Sequence, residues 1–196
     1  MKNKLVLAML AVFGLNVEAA NLNKTYLEIG YSQTELDDTE YDATGYKAGA
    51  GYEFDNGIFV GFNYRRQKDT LSIFLRETEV EFDENIFEIG YIIHEAQNGR
   101  FSIAANMGKL DIKQDNRTTD FDLARFYTEY EHSFNKYFSA FAQLGYENYD
   151  ATDVSKRSGA RYGGGLKVYF GASSVSLEYF KGRDFDQSAL MYRYSF

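Results

Sequence analysis

The sequence predicts an all-β chain, closed into an antiparallel, up-and-down transmembrane β-barrel of about ten strands, with eight as the alternative count. Three observations carry this. Apolar and polar residues alternate with period two in ten segments, the sign of a strand with two unlike faces. One of those faces is free of charge in a chain that is 26% charged. No stretch after residue 20 approaches the ~18 consecutive apolar residues of a spanning helix, so a bilayer would have to be crossed by strands.

The chain opens with Lys2, Lys4, an apolar run from Leu5 to Leu15, and Val17-Glu18-Ala19-Ala20. This is the build of a secretory signal peptide, with the small pair Val17 and Ala19 permitting cleavage after Ala19 or Ala20. We expect residues 1–20 to be removed and 21–196 to form one barrel domain. Losing Lys2, Lys4 and Glu18 makes the formal charge of −8 more acidic by one. With zero Cys there is no disulfide, lipoprotein anchor or thiolate chemistry, and with zero Pro no ladder donor is missing.

The alternating segments are about 25–33, 44–54, 58–67, 85–94, 100–110, 122–133, 137–148, 160–170, 174–181 and 188–196. Each is near the ~9–11 residues that a tilted strand needs to cross a bilayer. Joints alternate in length. Asp55-Asn56-Gly57, Glu95 to Gly99, Asn135-Lys136 and Gly171-Ala172-Ser173 have turn chemistry. The joints at 34–43, 68–84, 111–121, 149–159 and 182–187 are long, and belong on the extracellular side of a barrel whose termini are periplasmic. A Gly-Tyr pair recurs at Gly30-Tyr31, Gly51-Tyr52, Gly90-Tyr91 and Gly145-Tyr146, too irregularly spaced for a solenoid.

The outward parity runs through Leu27, Ile29 and Tyr31, then Ile58 to Tyr64, Phe87 to Ile93, and so on to Leu190, Tyr192, Tyr194 and Phe196, without a charge. A charge facing lipid costs ~2–4 kcal/mol at the midplane, which accounts for so clean a face. The inward parity carries Glu28, Glu53, Glu88, Glu129, Glu131, Glu147 and Glu178 against Lys47, Arg65, Arg125, Arg161, Lys167 and Arg193, with Asn63, Asn106 and Gln143 between. Opposite charges in a narrow lumen must pair. A barrel of ten strands is little wider than the ~8-strand barrel that side chains fill. The expectation is a lumen plugged by an ion-pair network; a narrow porin-like channel for ions or small solutes is the alternative.

The leader, the alternation of short and long joints, the Gly-Tyr strands and the aromatic final strand from Leu190 to Phe196 together resemble the small Gram-negative outer-membrane β-barrel proteins, the OmpA-barrel, OmpX and porin-like group. The resemblance implies residence in the cell outer membrane after export, contact with its lipid and lipopolysaccharide, and insertion by the barrel-assembly machinery, with Tyr192, Tyr194 and Phe196 as the assembly signal. It assigns no activity. The relatives of OmpX have eight strands, against ten counted here.

Catalysis is not expected. The two histidines, His94 and His132, fall beside short turns, and adjacent His132 and Ser133 point to opposite faces of a strand. No cofactor or metal is expected. The segment 34–43 holds Glu35, Asp37, Asp38, Glu40 and Asp42 with no base, but matches no defined calcium spacing. An acidic surface without a basic footprint also argues against nucleic acid.

Two surfaces are candidates for partners. Arg66, Lys109 and Lys181 continue the outward parity just beyond the apolar band, where lipopolysaccharide phosphates would lie; plain snorkelling is the other reading. In the joint 68–84 the alternation persists, with Leu71, Ile73 and Leu75 on one parity and Val80 and Phe82 on the return. Either this is a protruding hairpin whose apolar stripe and edge bind an extracellular protein, or these residues fold inward as a cap. A structural or surface-interaction role through extracellular loops follows as the expected function.

Overall fold

The structure, a computed structural model, describes residues 22, 24–36, 42–73, 76–114, 117–151 and 154–196; for 71–73, 76–77 and 154–156 it describes the backbone alone. The expected leader, residues 1–20, lies outside these. Ten strands follow one another: β1 (Tyr26–Leu36), β2 (Asp42–Glu53), β3 (Ile58–Ile73), β4 (Arg76–Ala96), β5 (Gly99–Gln114), β6 (Arg117–Asn135), β7 (Phe138–Ala151), β8 (Val154–Phe170), β9 (Ser173–Lys181) and β10 (Phe185–Ser195). Every strand pairs antiparallel with its sequence neighbours, and β1 pairs with β10 from Tyr26↔Ser195 to Leu36↔Phe185, closing the barrel.

Closure leaves no ladder edge through the body of the wall, the condition for backbone placed in hydrocarbon. The exterior repeats the predicted parity. Leu27, Ile29, Phe62, Phe87, Ile89, Met107, Phe126, Leu144, Leu166, Leu177 and Leu190 are all exposed there. Rings gather at the belt margins: Tyr52 and Phe54 meet edge to face at 4.9 Å, and Tyr130, His132, Phe134 and Phe138 follow one another along the turn end.

At the turn end the joints are tight. Gly57 (φ 81°) and Gly171 (φ 72°) supply the left-handed residues these turns require. The Asp55-Asn56-Gly57 turn is held by Gly57 N–H on the Phe54 carbonyl at 2.9 Å and by Ile58 N–H on the Asn56 side chain at 3.1 Å.

The opposite, hairpin end departs from expectation. Much of the predicted long joints at 68–84, 111–121 and 149–159 is strand: β3 and β4 stay in register from Ile58↔Tyr91 to Ile73↔Arg76, β5 and β6 reach Gln114↔Arg117, and β7 and β8 reach Ala151↔Val154. The reason is that the alternation continues there and each hairpin satisfies its own backbone groups. By contrast β9 has 9 residues against the 21 of β4. At ~3.3 Å per residue these are roughly 30 and 70 Å long, so the rim is high from β3 to β8 and low at β9 and β10.

Candidate functional site: the lumen

Inward-facing side chains form three tiers. At the turn end the N-terminal segment turns into the barrel. Lys24 N–H donates to Glu53 Oε2 at 2.8 Å and Lys24 Nζ meets Glu129 Oε1 at 2.5 Å. Arg100 clasps this segment, donating to the Leu22 carbonyl at 2.7 Å while pairing with Glu53 at 2.7 Å and Glu95 at 2.5 Å. Leu22 rests on buried Tyr169.

The waist is charged. Arg193 grips Glu28 Oε2 through Nε at 3.0 Å and Nη2 at 2.7 Å, and Lys47 lies between Glu28 (3.9 Å) and Glu178 (3.3 Å). Lys167 pairs with Glu131 at 2.8 Å, which also accepts from Ser139 and Tyr169. Higher up, Arg65, Glu84, Arg125, Glu147 and Arg161 form an alternating chain with links of 2.5, 3.4, 3.2 and 3.6 Å. Glu88 has no cation within bridging distance among the described residues; it accepts from Tyr127 OH at 2.5 Å and faces the Asn106 amide. Thus every predicted lumen residue lies on the inner wall. A cavity of about 150 Å³ remains among these groups.

Glycines and rings set the spacing of the charges. Gly51, Gly90, Gly165 and Gly163 stand directly across from Tyr26, Phe59, Phe141 and Phe180 on the neighbouring strand. A Cβ at any of the four would strike that ring, so the missing side chain lets the ring lie against the wall. Each ring then offers its face to a cation: Arg193 over Tyr26 at 3.7 Å, Lys24 over Phe59 at 4.9 Å, Lys167 over Phe141 at 4.9 Å and Arg161 over Phe180 at 4.0 Å. Such contacts contribute about 0.5–2 kcal/mol each.

The third tier, at the hairpin end, is apolar. Ile86, Leu110, Leu123 and Tyr149 are buried together, with Phe82, Ile112, Phe121 and Phe185 against them; Ala43 and Val80 join through Leu36, Phe82 and Ile112. Tyr149 links this collar to the waist, its hydroxyl accepting from Arg125 at 2.9 Å.

Of the two readings of the joint 68–84, the placement of Val80 and Phe82 fits the inward cap. Val80 is buried and Phe82 half-buried inside the mouth, because they share the inward parity of Glu84 and Ile86 on β4 and meet apolar partners from β5. Leu71 and Ile73 belong to the β3–β4 hairpin by backbone register, and Leu75 lies outside the described residues.

Outside the mouth the exterior is charged. Arg66 sits on Glu81 (2.6 Å) and Asp83 (3.6 Å), and Lys68 and Lys113 complete the group at 3.1 and 3.3 Å from Glu81. The hydrogen bond from Arg66, with others from Lys68 and Lys113, holds the Glu81 carboxyl down to about 2. Lys181 is paired with Asp186 at 2.8 Å. Of the three cations expected near lipid phosphate, Lys109 alone is exposed without an ion-pair partner among the described residues. His132 Nδ1 lies 3.3 Å from Tyr130 OH on the outer wall, while Ser133 faces inward. Among the described residues no group of three or more His, Asp or Glu side chains is placed to hold a metal ion.

Several contributors escaped the sequence reading. Glu84 and Arg100 lie on the inward parity, one residue before or at the assumed strand starts. Lys24 precedes β1 and carries no periodic signal. Tyr26, Tyr127 and Tyr169 were legible only as aromatic residues on the polar face, and Tyr149 fell in the expected joint 149–159.

No protein-family model and no curated protein matches the chain in sequence. Solved structures match it in fold. The β domain of the Bordetella autotransporter Brka aligns with a TM-score of 0.58 at 12% identity, covering 87% of this chain and 98% of that one. The NanC porin aligns with a TM-score of 0.51 at 9% identity, covering 87% of this chain and 100% of that one. With its closed ten-strand wall, apolar outside and charged within, the chain has the fold of the outer-membrane β-barrels.

Proposed function

We propose that this chain is an integral outer-membrane barrel with a closed lumen, working as an anchor that holds its long hairpins above the membrane, and neither a channel nor an enzyme. The observation that supports this is the stacking of three tiers of inward side chains along one axis: the Lys24 strap, the ion-paired waist and the apolar collar. An ion would have to displace paired charges and then pass an apolar collar, and both steps are unfavourable.

With short turns and termini on the periplasmic side, the high rim from β3 to β8 faces outward. An extracellular protein partner would meet hairpin tips and the charged outer wall around Arg66, Glu81 and Lys113. Lys109, at the upper edge of the belt, is the cation suited to lipopolysaccharide phosphate. Tyr192, Tyr194 and Phe196 would serve assembly.

Planar-bilayer recording on the refolded chain 21–196 tests the central claim. The expected result is no sustained conductance in the wild type, and openings when Lys24→Ala and Leu123→Ser are combined. Steady wild-type conductance would replace the anchor with the narrow-channel reading.

A further inference from the structure

We propose that the upper edge of β8 is a strand-addition site for an extended, carboxylate-bearing segment of another protein. The inference rests on the reading of the high rim as the side that meets extracellular proteins, and gives that partner a place and a chemistry.

β8 has a strand on both sides over only part of its length. It stays paired with β7 as far as Ala151↔Val154, but with β9 it pairs only from Tyr162↔Lys181 downward. Residues 154–161 thus have a strand on one side and a gap on the other. At ~3.3 Å per residue that edge is roughly 26 Å long. The other free edges of the high rim are shorter, at 69–73 on β3, 76–79 on β4 and 117–121 on β6.

Arg183 marks which groups face the gap. It stands in the turn between β9 and β10, and its Nη1 donates to the Ser158 carbonyl at 2.8 Å. Its stem lies against Gly159, where an added Cβ would be 2.6 Å from Arg183 Cβ. In an antiparallel strand the N–H and C=O of one residue point to the same side, and the sides alternate. Ser158 and Ala160 therefore face the gap, while Gly159 and Arg161 face β7. No backbone group among the described residues meets Ser158 or Ala160 from the gap. A side chain stands where the ladder would continue.

Charge sets the chemistry of the partner. Arg157 and Arg183 are each more than half exposed and, among the described residues, share one carboxylate, Asp184, at 3.5 and 3.8 Å. This leaves a positive excess beside the edge on a chain whose net charge is −8. Two β8 edges brought together would set these cations against each other, so a second copy is disfavoured. A strand with carboxylates at alternate positions would take up the backbone groups and the charge together. The edge rises from the belt margin, where Tyr146 OH donates to Ser158 Oγ at 2.8 Å, so the added strand would lie in water.

The test uses the folded chain 21–196 in detergent micelles and a synthetic peptide, Thr-Glu-Val-Glu-Val-Glu-Thr, against its counterpart with lysine for each glutamate. Hydrogen exchange followed residue by residue should slow at Ser158 and Ala160 when the acidic peptide is added, with Gly159 and Arg161 unchanged. The lysine peptide should bind roughly tenfold more weakly or worse, because each reversed charge pair counts. Ala160→Pro removes a gap-facing N–H without touching the β7 ladder, at a position where an edge strand accepts proline. It should weaken binding roughly tenfold. Should that variant fail to fold, Arg157→Glu combined with Arg183→Glu should reverse the preference between the two peptides. Equal binding of both peptides, binding of neither, slowed exchange confined to another edge such as 69–73, or no effect of the folded variants would each overturn the proposal. So would a dimer that forms without peptide and is dispersed by Ala160→Pro, since the edge would then belong to a second copy. None of these measurements depends on conductance, so a steady current would overturn the closed-lumen reading alone.

Discussion

Followed upward along β4, the wall turns itself inside out. Through the belt, Phe87, Ile89 and Tyr91 face outward while Glu84 and Glu88 face the lumen; beyond it, Glu79, Glu81 and Asp83 face outward while Val80 and Phe82 face the lumen. The other strands of the high rim repeat this, with Met107 giving way to Lys109 and Lys113 outside β5, and Asn106 to Leu110 and Ile112 inside it. The waist and the collar thus fill one interior under two solvents. Where lipid covers the outside, apolar residues are needed there and polar ones are left for the interior. Where water covers the outside, the ordinary arrangement of a soluble sheet returns. The level of the switch, between Tyr64 and Arg66 on β3 and between Asn85 and Asp83 on β4, marks the edge of the hydrocarbon.

If the waist depends on paired charge, breaking one partner should be the most damaging change. Arg125→Met leaves Glu84, Glu147 and Tyr149 OH without their shared donor. We expect a loss of about 3–5 kcal/mol in urea unfolding; a loss below ~1 kcal/mol would mean that water already serves these groups.

The collar should respond as a hydrophobic core. Leu123→Ala, at a site 3% exposed, is expected to cost about 2–4 kcal/mol. A near-zero effect would show that the collar is only loosely packed and that the waist alone carries closure.

Between them stands the glycine and ring layer. Gly165→Ala would place its Cβ 2.5 Å from the Leu177 carbonyl oxygen and 2.6 Å from the Phe141 ring, and the strain should cost about 1–3 kcal/mol. Pairing it with Phe141→Leu should recover part of the loss, and failure of that rescue in the same unfolding assay would remove the ring from the explanation.

The smallest effect belongs to the outer charges. The Glu81 carboxyl is held at about 2, below its ordinary value near 4.5, chiefly by the hydrogen bond from Arg66. Its contribution is therefore whole above about pH 4.5 and lost as the pH falls toward 2. Hydrogen exchange in the β3–β4 hairpin should quicken over that interval, and Glu81→Gln should flatten the change. Because the group faces water, high salt should shrink it as well.

Strand number, parity and the inner ladder of charges were legible because alternation is a local property and the short turns hold the register. Strand ends were not, because a stripe such as Val80 and Phe82 reads the same whether it faces water or a collar; only the partners Ile112 and Ala43 decide. The recurring Gly-Tyr pairs were visible without their reason. In each, the tyrosine faces outward and the glycine lies opposite a large inward residue: Gly30 and Met191, Gly51 and Tyr26, Gly90 and Phe59, Gly145 and Tyr127. That complementarity runs between strands, and no single segment displays it. Lys24 was hidden for a different reason, since it belongs to no strand.

The pair that joins β1 to β10 has a bearing on time as well as on energy. Glu28 and Arg193 are 165 residues apart in the chain, and their contact can exist only once the last strand has arrived beside the first. Contacts so distant are made late, after the entropy of the whole intervening loop has been overcome. Until then an unfinished wall exposes the edge of β1 and a carboxylate whose main counterion is still absent. Closing the ring and neutralising the seam are therefore one event. A nascent barrel that loses its final strand would stay open and charged along that edge, a state in which quality control could tell it from a finished one.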